Sequence, residues 1–155
     1  MTINSGQKAP LFEIETQDGT PFSLAAHKGQ KVLIYFYPKD DTPGCTQESC
    51  DFRDAFSELK ERGVAVIGIS KDSIASHEKF AKKYALPFAL GADTDQAVLK
   101  AYDVWVEKKL YGRTYMGIER ATFLVDKTGK IEKIWRRVKV KNHVKEILDY
   151  LNKPQ

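Results

Sequence analysis

Two residues of this chain can act as sulfur nucleophiles, Cys45 and Cys50, and they are its only cysteines. They lie in Tyr37-Pro38-Lys39-Asp40-Asp41-Thr42-Pro43-Gly44-Cys45-Thr46-Gln47-Glu48-Ser49-Cys50. A thiolate is the reactive form of cysteine, so the surroundings of each sulfur decide its chemistry. Thr42 and Pro43 read as the N-cap and first residue of a helix. Cys45 then falls in the first turn. Unpaired backbone N–H groups and the positive end of the helix dipole favour a thiolate there. A free cysteine can also be a small, inert core residue. A strand ending in proline, a charged loop and then Thr-Pro-Gly-Cys is a costly way to place such a residue.

The elements around the motif follow from hydrophobic spacing. Val32–Tyr37 is a continuous apolar run, read as a buried strand ending just before Pro38. A helix is predicted from Pro43 to about Arg62, stopped by Gly63. At about 100° per residue, Cys45, Ser49, Phe52, Phe56 and Leu59 share one face, and Cys50 lies about 140° from Cys45. Cys45 should therefore face the sheet and Cys50 should not. Asp40 and Asp41 would oppose a thiolate and are expected to face solvent.

Pro38-x-x-x-Thr42-x-x-Cys45 resembles the active-site motif of the peroxiredoxins. The longer string Thr42-Pro43-Gly44-Cys45-Thr46-x-Glu48-x-Cys50, continued by Phe52-Arg53-Asp54, is similar to the bacterioferritin comigratory protein group, the Q-type peroxiredoxins. The resemblance runs from Ala9-Pro10-Leu11-Phe12 to the C-terminal helix. It implies a thioredoxin-like α/β fold, with a mixed central sheet flanked by helices and an N-terminal β-hairpin extension. It implies a thiol-dependent peroxidase acting on hydrogen peroxide and organic hydroperoxides, with no cofactor or metal. Cys45 would attack the peroxide and become a sulfenic acid. Cys50 would resolve it as an intramolecular disulfide, reduced in turn by thioredoxin or a similar dithiol protein.

Attack on an O–O bond also needs donors for the charge developing on the leaving oxygen. Backbone N–H groups around Gly44 and Cys45, and the Thr42 hydroxyl, could supply them. A guanidinium suits the task because it stays charged and presents a fixed fork. The residues alone leave Arg53, Arg113 and Arg120 open. The resemblance selects Arg120, in Gly117-Ile118-Glu119-Arg120-Ala121-Thr122-Phe123. It also implies that Pro38 shields the thiolate. Glu48 would either orient Arg120 or complement the helix N-terminus.

The remaining elements read as follows. Leu11–Thr16 and Pro21–Leu24 form a hairpin about Asp18-Gly19. Val64–Ser70 is a second buried strand and completes a parallel βαβ unit. Ser73 to about Tyr84 is a helix, with His77 a surface or boundary residue. Leu86–Leu90 is a short strand with Pro87 near its start. Gln96–Tyr102 is a short helix. Val104–Gly117 is either a loop whose aromatics cover the sheet edge or a wall of the active-site cleft. Glu119–Asp126 and Ile131–Trp135 pair as a hairpin through Lys127-Thr128-Gly129-Lys130. Val144, Ile147, Leu148 and Leu151 mark the core face of a closing helix. One domain over residues 1–155 is expected.

Net charge is only +4, with bases scattered among acids. No concentrated basic stripe of the kind nucleic acid requires is present, and no apolar run is long enough to span a bilayer. The first six residues lack a basic start and an apolar stretch, so a cytoplasmic protein is expected. Cysteines there are more often redox-active than structural. A monomer is expected. The alternative is a thiol–disulfide oxidoreductase on the same fold, but such enzymes hold their cysteines two residues apart. His27, His77 and His143 fit no zinc spacing with the cysteines.

Overall fold

The computed structural model describes residues 3–153. Its centre is a five-stranded sheet in the order β5-β4-β3-β8-β9. The strands are β3 (Lys31–Phe36), β4 (Val64–Ser70), β5 (Ala89–Ala92), β8 (Ala121–Val125) and β9 (Ile131–Trp135). β3, β4 and β5 run parallel, and β8 and β9 add antiparallel on the other side. The short strands β1 (Glu13–Ile14) and β2 (Phe22–Ser23) form the N-terminal hairpin. The helices are α1 (Pro43–Glu61), α2 (Ile74–Tyr84), α3 (Ala97–Ala101) and α4 (His143–Asn152).

Strand alternation builds two cores, one on each face of the sheet. Val32, Ile34 and Phe36 point to the side holding Leu99, Tyr102 and the N-terminal hairpin. Leu33, Tyr35 and Tyr37 point to the side holding α1, α2 and α4. Phe52 and Leu59 of α1 are completely buried there. Tyr35 stacks on Phe52 with ring centroids 4.5 Å apart, and its hydroxyl meets Ser49 Oγ at 2.9 Å. Gly68 on neighbouring β4 makes room for that ring, since a Cβ there would stand 2.6 Å from it.

Three expectations change. The strand expected at Leu86–Leu90 forms at Ala89–Ala92, because Pro87 has no N–H to give to the ladder. His77, expected at a surface or boundary, is completely buried, as its helical spacing with Phe80 allows. Val104–Gly117 is neither loop nor plain cover but a separate hairpin of β6 (Trp105–Leu110) and β7 (Arg113–Ile118). Its turn, Tyr111-Gly112, has both residues at positive φ, 51° and 77°. Two-residue hairpins usually signal that geometry with Asn-Gly or Asp-Gly, and a tyrosine in first place hides it.

Candidate active site

β3 ends at Phe36, the chain turns through Pro38–Asp41, and α1 begins at Pro43 with Thr42 as its extended N-cap. The turn requires Asp41 at φ 57°, a conformation Asp tolerates better than most residues. Cys45 is 1% exposed on the sheet-facing side of the first turn, while Cys50 is half-buried on another face of the helix. Both thiols are free.

Arg120 stands between β7 and β8 and reaches back to α1. Its Nη2 donates to Cys45 Sγ at 3.3 Å and its Nη1 to Glu48 Oε1 at 2.7 Å. One guanidinium therefore holds the sulfur and the carboxylate one helical turn apart. Gly44 lets it approach, since a Cβ there would sit 3.2 Å from Nη2. Burial works against the charge on Arg120, but Glu48 and Cys45 outweigh it and hold the guanidinium protonated. Pro38 is half-buried at the end of β3.

Thr42 departs from its expected part as a donor. Its hydroxyl donates to the Lys39 carbonyl at 2.8 Å and makes no capping bond. The oxygen's lone pairs are left to accept. Asp40 also departs from expectation: it turns inward. Its carboxylate accepts from Tyr37 at 2.6 Å and Ser76 at 2.8 Å, and meets His77 Nδ1 at 2.7 Å. His77 Nε2 lies 2.9 Å from the Gly91 carbonyl, which can only accept, so that nitrogen carries a proton. The inward carboxyl group is thus hydrogen-bonded by residues of β3's end and α2. Asp41 does face solvent, bound to Lys83 and Tyr84. Asp40, Asp72 and His77 bring possible metal ligands within 4.8 Å of one another. Those groups already engage one another or Tyr37, Ser70, Ser76 and Gly91.

Glu48 is completely buried, and its Oε2 has no hydrogen-bond partner among the described residues. Burial pushes its carboxyl up to about 7 against the pull of Arg120. His143, bonded to Thr122 at 2.8 Å, is driven down to about 4 by burial and by Arg120, so it is neutral at pH 7. A carboxyl raised from 4.5 to about 7 by folding stabilises the fold fully below about pH 4.5, and that contribution is lost as pH rises through 7. Glu48→Gln should therefore gain stability relative to the parent by roughly 2–3 kcal/mol between about pH 5 and pH 8. Urea denaturation of the reduced proteins measures this. A difference that stays constant with pH would place the titration elsewhere.

The AhpC/TSA family pattern matches residues 5–134. The chain belongs to the AhpC/TSA family. Within this AhpC/TSA family it is 52% identical to a putative peroxiredoxin Bcp of Coxiella burnetii, over 97% of this chain and all of that one. It is 50% identical to the peroxiredoxin Bcp of Bacillus subtilis, over 97% and 96%. The crystal structure of the Xanthomonas campestris bacterioferritin comigratory protein superposes with a TM-score of 0.90 at 39% identity, covering 96% of this chain and 97% of that one. The thioredoxin-like fold and the peroxiredoxin resemblance are both borne out. This AhpC/TSA member is a peroxidase that works through cysteine, and no helix among the described residues is long and apolar enough to cross a membrane.

Neither the Asp40–His77 pair nor the neutral His143 shows in the sequence pattern as a site feature. The spacing of His77 with Phe80 signalled its burial. Its pairing with Asp40 and the setting of His143 depend on contacts between distant segments.

Proposed function

We propose that Cys45 is the peroxidatic residue, that Arg120, Thr42, Pro38 and Gly44 shape its site, that Glu48 holds Arg120, and that Cys50 is the resolving residue. The observation that carries this reading is the Arg120 fork, with one arm on Cys45 Sγ and the other on Glu48. The Cys45 thiolate attacks one peroxide oxygen. An S–O bond forms, the O–O bond breaks, the attacked oxygen keeps its proton as the sulfenic acid, and the leaving oxygen takes a proton from solvent and departs as water or alcohol. Arg120 is placed to stabilise the thiolate and then the leaving oxygen. Thr42, its own proton committed to Lys39, accepts a hydrogen bond from the peroxide O–H and turns the substrate end-on. Pro38 keeps water from the sulfur.

The sulfenic acid condenses with Cys50, expelling water and leaving a disulfide. Burial pushes the Cys50 thiol up, Arg53 opposing and Asp54 and Asp51 reinforcing, which disfavours its thiolate in the wound helix. Thioredoxin or a similar dithiol then reduces the disulfide. Substrates include hydrogen peroxide and alkyl hydroperoxides, alkyl peroxide reduction being the activity named for the Xanthomonas protein. The enzyme acts as a cytoplasmic monomer, a single domain over residues 1–155.

Cys50→Ser tests the resolving step. It should consume one peroxide per chain, stop at a sulfenic acid that dimedone labels, and fail to turn over with thioredoxin. Sustained thioredoxin-dependent turnover would remove Cys50 from the cycle.

A further inference from the structure

The loop from β3 to α1 is fastened to α2 and to the end of β4. The Asp40 carboxyl group meets Tyr37, Ser76 and His77. The Asp40 backbone N–H donates to Asp72 Oδ2 at 2.9 Å, a bond across 32 residues of sequence. Asp72 follows β4 and is half-buried. The same oxygen accepts from the hydroxyl of Ser70, which is completely buried, at 2.7 Å.

The peptide bond joining Lys39 to Asp40 therefore has both of its polar groups committed. Its N–H points to Asp72, and its carbonyl accepts from the Thr42 hydroxyl at 2.8 Å. A peptide is planar, with its N–H and C=O directed to opposite sides, so an acceptor on the N–H dictates where the carbonyl points. Turned over, the same peptide would offer Thr42 an N–H. The hydroxyl oxygen would then be taken up as an acceptor, and its proton would be free to face the site. Asp72 holds the orientation in which the Thr42 proton is spent on Lys39 and the lone pairs are left over. A carboxylate on the N–H also polarises the peptide and makes its carbonyl a better acceptor, because hydrogen bonds in a chain reinforce one another.

We propose that Asp72 is a positioning residue for peroxide reduction: by holding the 39–40 peptide, it aims the Thr42 hydroxyl so that its oxygen accepts from the peroxide O–H. It acts through Thr42 and not on the sulfur. The Asp40 side chain, clasped by Ser76 and His77 of α2, keeps the loop against Asp72. The proposal rests on Thr42 accepting from the peroxide.

The test compares two rates at Cys45, both in a Cys50→Ser background so that one thiol reacts. The first is the single-turnover rate constant with hydrogen peroxide, which calls on Thr42. The second is alkylation by iodoacetamide, which needs the thiolate but has no peroxide O–H to orient. Asp72→Ala should slow the first about tenfold, the size of one hydrogen bond lost, and leave the second unchanged. Asp72→Asn, which keeps an acceptor oxygen, should recover most of the lost rate. Thr42→Val should slow the first rate at least as much, and adding Asp72→Ala to it should cost nothing more. An unchanged peroxide rate in Asp72→Ala, an equal fall in both rates, no recovery in Asp72→Asn, or a further loss in the double variant would overturn the positioning role and leave the Cys45 reading standing. A parent-like peroxide rate in Thr42→Val would overturn the part given to Thr42, and this proposal with it.

Discussion

Cys45→Ser is expected to abolish peroxide reduction, by on the order of 10⁴-fold or more, and to leave the fold in place. The serine hydroxyl fits where the sulfur sits, 1% exposed against Arg120 on the first turn of α1. It does not ionise at neutral pH, so the guanidinium has no anion to present to the peroxide. Cys50 cannot take over. It is half-buried on another face of the helix, burial holds it as a thiol, and Arg120 reaches Cys45 instead. Single-turnover peroxide consumption measures the loss. A thermal melt checks the fold, and the change there should be within about 1 kcal/mol, since one small atom replaces another. Turnover within tenfold of the parent would move the chemistry to Cys50 or elsewhere.

Local features of the chain carried much of this. Val32–Tyr37 and Val64–Ser70 announce their strands as unbroken apolar runs, and the structure forms strands within both. Thr42-Pro43 marks the start of α1 because an N-cap and a proline at the first position need only neighbouring backbone. Helical phase separated Cys45 from Cys50 for the same reason. Arg120 was different. Its guanidinium meets Cys45 across 75 residues, and no local pattern distinguishes it from Arg53 or Arg113. Only the family resemblance singled it out. Asp40 turned inward because α2 supplies Ser76 and His77, partners 36 and 37 residues away. The β6–β7 hairpin escaped notice because Tyr111 occupies a turn position where asparagine is usual. Local chemistry was legible, and pairings between distant segments were not.

The second large effect expected is that α1 unwinds at its start when the protein is oxidised. In a wound helix, residues five apart have Cα atoms about 8.5 Å from one another, and their Cβ vectors here diverge by about 140°. A disulfide needs Cα atoms within about 7 Å and Cβ vectors that converge. The Cys45–Cys50 bridge therefore cannot close on the helix as it stands. The anchoring of α1 shows where it should give. Its first turns are held by polar contacts, Arg120 on Cys45 and Glu48, and Tyr35 on Ser49. Its later turns are held by Phe52 and Leu59, both completely buried. Conversion of Cys45 to a sulfenic acid changes the group that Arg120 Nη2 contacts. Residues 43–51 should then open while residues 52–61 stay docked, exposing the disulfide to a dithiol protein.

Hydrogen exchange on the reduced and oxidised protein, with the Cys45–Cys50 linkage confirmed by peptide mapping, tests the proposed cycle most directly. The account predicts that protection across residues 43–51 falls almost to that of an open segment on oxidation, while protection across residues 52–61 persists. Equal protection of residues 43–51 in both states, with the disulfide present, would contradict it.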